Sequence, residues 1–414
     1  TTGAQDYNSA VVLAASAVFD ADNANITFDG TVQGTAGEDL TVDAGTQTIT
    51  FSGAVGGGGN LNGIDLDAGT LTLDAALTSQ AAFAADVTNS LTIDENINAG
   101  TTADVTVTGA GATLQITAGD TLTAGGATNL TADKMDLDGA VSAAGQVVTL
   151  ASSTAGDAID LGSGTDAAAG TLELSDAELD AITATTLRIG SATAGAISVT
   201  GAIGPANIAN LSLLSDEGVD DGGDAGTITL AGGLRIDVDT AVDLDQANDV
   251  DTLAVATFGT GAVSFTDSDA LTIGAVDGTN GVTTGDGAVT LSPGGQLDVD
   301  QAVDTSAAAG HDIVVNNNNA IVISGVNLTT DTGNINLGSS AVALDTGAVQ
   351  ISTGAGAGDL PIDGTIRSAT NQDLTINAGA GAGGGSVSLG AVGQVGSDRI
   401  GVLDVTGGDT TITI

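Results

Sequence analysis

Apolar residues in this chain of 414 residues recur with a period of two. Leu40 and Val42, Ile49 and Phe51, Leu71 and Leu73, Leu91 and Ile93, and Val105 and Val107 each bracket one polar residue. So do Leu187 and Ile189, Ile236 and Val238, Leu297 and Val299, and Leu374 and Ile376. Alternation of this kind marks a strand with one face buried. The runs are short and are separated by clusters of Gly, Asp, Asn and Ala, mostly turn formers. Helical spacing is nearly absent. The exception is Ser175-Asp176-Ala177-Glu178-Leu179, whose Ser and Glu predict a capping box opening one or two helical turns.

The same period argues against disorder, the first reading of an acidic, Gly-rich chain. Aromatic residues are 2% of the chain, so a core must be built from Val, Ile, Leu and Ala. Repeats then organise the strands. Ile26 to Val32 (ITFDGTV) recurs as Ile49 to Val55 (ITFSGAV), and Leu40 to Thr46 (LTVDAGT) recurs as Ile64 to Thr70 (IDLDAGT). A longer match pairs Gly226–Asp243 with Gly287–Asp304, which reads as three units of about 20 residues each. One such unit cannot bury its apolar face alone, so units must stack. The expected fold is all-β: a right-handed parallel β-helix, or β-solenoid, of about 20 coils with roughly 20–24 residues each. It is expected to run through residues 1–414 as one solenoid, a segment of a longer repeat protein. A string of antiparallel sandwiches is the rival, but it needs bulkier cores and Pro-marked linkers, and the chain has three prolines. Register follows from alternation: Arg188, Asp237 and Asp298 should face outward between their inward neighbours. The strand pattern Thr410 to Ile414 leads us to expect that the last coil pairs with more of the same chain or with an identical subunit.

The opening TTGAQDYNSAVVL, the segment 175–203 (SDAELDAITATTLRIGSATAGAISVTGAI) and the segment 269–291 (DALTIGAVDGTNGVTTGDGAVTL) complete the pattern. The chain resembles the repeat (passenger) regions of filamentous-haemagglutinin-like and autotransporter-like large bacterial exoproteins. That resemblance implies a secreted or surface-displayed stalk of a Gram-negative bacterium.

Composition narrows the partners. Five Lys+Arg against 52 Asp+Glu leave a net charge of −47. So few cations cannot neutralise a nucleic-acid backbone or an anionic lipid surface. The chain has no cysteine, hence no disulfide and no thiol nucleophile. Membrane insertion of this segment is not expected, because no apolar run is long enough to span a bilayer.

Chemistry has few candidates. The single histidine, His311, sits beside Asp312 and reads as a turn residue before a strand starting at Ile313. Asn316–Asn319 reads as a turn whose amides bond nearby backbone or stack between coils. The glycine runs lack the lysine that a phosphate loop needs. Ca²⁺ is the one cofactor considered, since it takes carboxylate oxygens in turns. Its candidate ligands are Asp216, Glu217, Asp220, Asp221 and Asp224, with a second acidic stretch from Asp237 to Asp251. No catalytic residue stands out. The expected function is an extracellular structural or adhesive stalk, an adhesin spacer or filament subunit facing a host or neighbouring cell. The alternative is a polysaccharide-active β-helix enzyme, which would need long turns on one face converging on Asp plus Arg.

Overall fold

A computed structural model describes residues 3–58, 61–223, 225–379, 384–393 and 399–412. Asp224 and Ile414, both singled out above, lie outside the described residues. Over the described residues the chain is nearly all β, a β-solenoid of about 16 parallel stacked coils. The chain divides into two compact units, one of residues 1–195 with 203–209, the other of residues 196–202 with 210–414.

In the first unit three ladders of short strands run side by side. One stacks Gln5–Tyr7, Ile26–Phe28, Thr48–Phe51 and Thr70–Leu73. A second stacks Leu77–Ser79, Ile97–Ala99 and Thr121–Ala124. The third stacks Ala17–Asp20, Glu38–Asp43, Leu61–Ala68, Phe83–Val87 and Ala103–Val107. Every one of these pairings is parallel. Both short repeats are coil on coil: Ile26 lies opposite Ile49, and Leu40 opposite Ile64. A column of rings, Tyr7, Phe28 and Phe51, stacks at 5.0 and 4.9 Å between centroids, so one inner column does accept aromatics. The helix forms where the capping box predicts it, at Asp176–Asp180. Ser175 Oγ accepts the Glu178 N–H, and Glu178 returns a bond to the Ser175 N–H. It sits inside the longest coil, where Val141 is opposite Ile182.

The second unit repeats the plan. Val263–Asp267, Val289–Pro293, Ile313–Val315 and Ile335–Asn336 form one ladder. Leu271–Ile273, Leu297–Val299, Ile321–Ile323 and Val342–Leu344 form another. The third runs from Asn210–Ser215 through Val282–Asp286, Val303–Ala309 and Asn327–Asp331 to Val349–Ser352. The core is the three inner columns: Leu187, Ile189, Ile236, Val238, Leu297 and Val299 are all buried. Arg188, Asp237 and Asp298 between them are half-exposed, as alternation requires.

Two expectations need correction. Coils number about 16 rather than 20, because some are longer than the unit inferred from the short repeats, up to the 41 residues between Val141 and Ile182. The long repeat is not a coil repeat either. Ile236 is followed on its column by Val255, Val282 and Val303, 67 residues over three coils, not 61. The two similar segments therefore occupy different faces.

One corner of the second unit carries a device that the periodicity did not announce. Buried threonines Thr284, Thr330 and Thr353 donate their hydroxyls to the carbonyls of Gly287, Gly333 and Gly358, at 2.6, 2.6 and 3.2 Å. The hydroxyl bonds the backbone where the chain turns from one face to the next. Gly333 is required for space: a Cβ there would lie 1.9 Å from the His311 carbonyl oxygen of the preceding coil.

Candidate functional site

Turns supply much of the polar chemistry, and many of their side-chain bonds run between coils. Asp312 Oδ1 accepts the Asn334 N–H at 2.6 Å. Asn334 Oδ1 accepts the Asp359 N–H at 2.7 Å, and Asp359 Oδ1 the Ser386 N–H at 2.7 Å. In the first unit Ser90 and Asn96 accept the N–H groups of Thr113 and Thr121, both at 3.0 Å. A side chain at the start of one strand thus holds the backbone of the next coil at the same point.

The acidic turn behaves similarly. Asp216 and Glu217 are exposed. Asp220 Oδ1 accepts the Gly222 N–H at 2.8 Å, an Asx turn, and buried Asp221 accepts the Asp245 N–H at 3.2 Å. Among the described residues no group of three or more acidic or histidine side chains is placed to hold a metal ion. In the second acidic stretch, Asp237 is engaged by Arg235.

Carboxylates do meet in a ladder on the outside of the first unit. Asp20, Asp43, Asp67 and Asp86 are directly opposite one another on four successive coils. Partial desolvation, then the charges of Asp43, Asp86 and Asp65, push the Asp67 carboxyl above its ordinary value.

In the second unit Arg235 meets two aspartates. Among the described residues the only antiparallel pairing is the hairpin Ala275–Val276 with Thr279–Asn280, turned by Asp277 and Gly278 at positive φ. The hairpin folds back over neighbouring coils. Asp277 Oδ2 accepts the buried Ser212 hydroxyl at 2.7 Å and pairs with Arg235 at 3.3 Å. Arg235 Nε donates to Thr279 Oγ1 at 2.8 Å, and its other end meets Asp237. Val276 is buried, its methyls occupying the space a Cβ at Gly233 would fill. One guanidinium bridges two carboxylates here, so the cluster latches a strap.

The first unit has a cavity of about 290 Å³ beside the helix, lined by Asp136, Asp138, Asp166, Ser175 and Glu178 among others. Lys134 Nζ donates to the Asp166 carbonyl oxygen. Desolvation, then the charges of Glu178, Asp136 and Glu173, raise the Asp166 carboxyl to about 6, against the opposing pull of Lys134. Glu178 serves the helix cap, and Asp136 accepts from Gln115 Nε2 at 2.6 Å.

His311 pairs with Asp286 of the preceding coil, not with its neighbour Asp312. The asparagine run splits its work. Asn317 is buried and accepts the Asn319 N–H at 2.6 Å, while Asn319 Nδ2 donates to the Gly294 carbonyl at 2.8 Å. Sequence reasoning foresaw such bonds for the run. It missed Arg235–Asp277, whose members lie 42 residues apart, and Asp166–Glu178, which the path of the chain between them brings together.

Among the described residues no helix is long and apolar enough to cross a membrane. No family model, no curated protein and no solved structure matches the chain.

Proposed function

We propose that the chain is a structural and adhesive spacer of the cell exterior, in keeping with its resemblance to bacterial exoprotein passenger regions. The coil-to-coil bonds at the turns carry this reading. Turn side chains that an enzyme would aim at a substrate are here given to the backbone of the next coil, as in the run Asp312, Asn334, Asp359. Parallel pairing within each unit leaves few free backbone groups for a protease to engage. The test is limited proteolysis of the full chain beside a panel of polysaccharides. A spacer survives protease levels that digest ordinary domains and releases no sugar product. Rapid nicking throughout both units, or product release, would overturn it.

A second reading has one observation in its favour. A carboxyl held near pH 6 beside other carboxylates in a cavity, as Asp166 is, matches the acid of a glycoside hydrolase. Hydrolysis of a glycan that is lost in Asp166→Asn would establish that reading.

A further inference from the structure

We propose that a hollow beside the asparagine run is a subsite for one residue of a neutral sugar. It lies in the second unit, between the turn after Ile313–Val315 and the turn after Ile335–Asn336 one coil on. Its volume is about 340 Å³, and its lining includes Asn316, Asn317, Asn318, Asn336, Gly338 and Ser339. The cause is a missing side chain. Val314 is opposite Asn336, which sets Asn316 beside Gly338 two residues further. Gly338 has φ +62°, and its N–H is held by Asn336 Oδ1 at 2.9 Å. A Cβ there would stand in open space, its nearest neighbour the Val315 carbonyl oxygen at 3.8 Å. Where one coil carries an amide, the next carries nothing.

What remains uncommitted in the lining is mixed in donor and acceptor character. Asn316 gives Nδ2 to Ser292 Oγ at 3.3 Å and keeps its Oδ1. Asn336 spends Oδ1 on Gly338 and keeps both amide hydrogens. Among the described residues the exposed side chains of Asn318 and Ser339 make no hydrogen bond. The lining holds no charged residue, in a chain with 52 Asp+Glu.

That chemistry selects a ligand class. A metal ion would want carboxylates. An anion is repelled by the field of −47 charges. An apolar ligand would leave the amides unpaired. Vicinal sugar hydroxyls both donate and accept, which a carboxamide matches from one side chain. The volume falls at the small end of ligand sites, which span about 300–1,000 Å³. The proposal deepens the adhesive half of the reading above. Its failure would leave the proteolysis result, and with it the spacer, in place.

The test is ligand-observed NMR and calorimetry on the full chain with glucose, galactose, mannose and their N-acetylated amines, with glucuronate as the charged control. We expect saturable binding of a neutral sugar with Kd of about 1 mM, as a few hydrogen bonds on a small ligand give, and none of glucuronate. Gly338→Asn fills the hollow with the residue that best tolerates positive φ, and should abolish binding at only a small cost in melting temperature. Should that variant fold poorly, exposed Asn318→Ala and Ser339→Ala each weaken binding about tenfold, the effect of one lost hydrogen bond. The proposal is overturned if no neutral sugar binds the unmodified chain, or if binding survives these substitutions unchanged.

Discussion

Asp267 shows how a single residue sets a pH response. It is buried in a corner of the second unit, where its oxygens accept the N–H groups of Val250 and Asp269 at 3.0 and 3.1 Å. Desolvation outweighs those bonds and raises its carboxyl to about 6. A raised carboxyl favours the protonated folded state. Its penalty is absent below the unfolded value of about 3.9 and complete above about 6. Lowering the pH from 7 toward 4 therefore stabilises the fold through this group. Replacing Asp267 by Asn should flatten the rise in stability between pH 7 and 4.5, measured by urea melts at both pH values. An unchanged pH response would place its origin elsewhere. The aspartate ladder offers a second test. Like charges directly opposite in a ladder destabilise by about 0.2–1 kcal/mol. Asp67→Asn relieves two such contacts, with Asp43 and Asp86, and should stabilise by about that amount, less at high salt.

At the scale of elements, the corners and the strap hold the stack. Thr330→Val keeps the shape and deletes the hydroxyl bonded to the Gly333 carbonyl. It should cost about 1–3 kcal/mol, since a buried carbonyl loses its donor. Gly333→Ala should cost more, because its Cβ collides with fixed backbone at His311 rather than with a movable side chain. Thermal melts that rank the two the other way would refute this account of the corner. The hairpin depends on its ion pairs. Asp277→Ala leaves Arg235 with Asp237 alone and strips the acceptor from buried Ser212. A loss of about 2–4 kcal/mol follows from breaking a largely buried pair that retains one partner. Faster amide exchange should be confined to residues 274–281 and the strands beneath them.

Charge governs the whole molecule. Strands of adjacent coils stand about 4.8 Å apart, so carboxylates that share a column, such as Asp43 and Asp67, lie inside the Debye length of about 8 Å at physiological ionic strength. Sodium chloride should raise the melting temperature, and acidification from pH 7.5 to about 5 should do so too, as Asp166 and Asp267 protonate near 6. Further acid reverses the gain. Ala36 N–H and Thr35 hydroxyl bonds pull Glu38 down to about 2, and Asp133, despite its burial, is held low by Ser153 and Gly111. A lowered carboxyl stabilises above its unfolded value and loses that contribution as pH falls through the folded one. Melts across pH 2–8 should therefore pass through a maximum. Calcium chloride at matched ionic strength is the arm that detects a specific calcium site. An increment beyond sodium chloride that disappears in Asp220→Asn or Asp221→Asn would assign one to the acidic turn.

Alternation is a local property of extended backbone, which is why Leu187, Ile236 and Leu297 could be placed inside from the sequence alone. The same holds for the parallel stacking of Ile26 on Ile49, written in a repeat with no insertion, and for the capping box at Ser175. What lies over what is a different kind of quantity. It depends on the summed lengths of all the turns between two residues, and those lengths vary from coil to coil. Hence the match of Gly226–Asp243 with Gly287–Asp304 looked like a coil repeat and is not one. The meeting of Arg235 with Asp277 and the hollow at Gly338 share that origin. Each joins groups that the chain's local pattern leaves unrelated, and only closure of the coils brings them together.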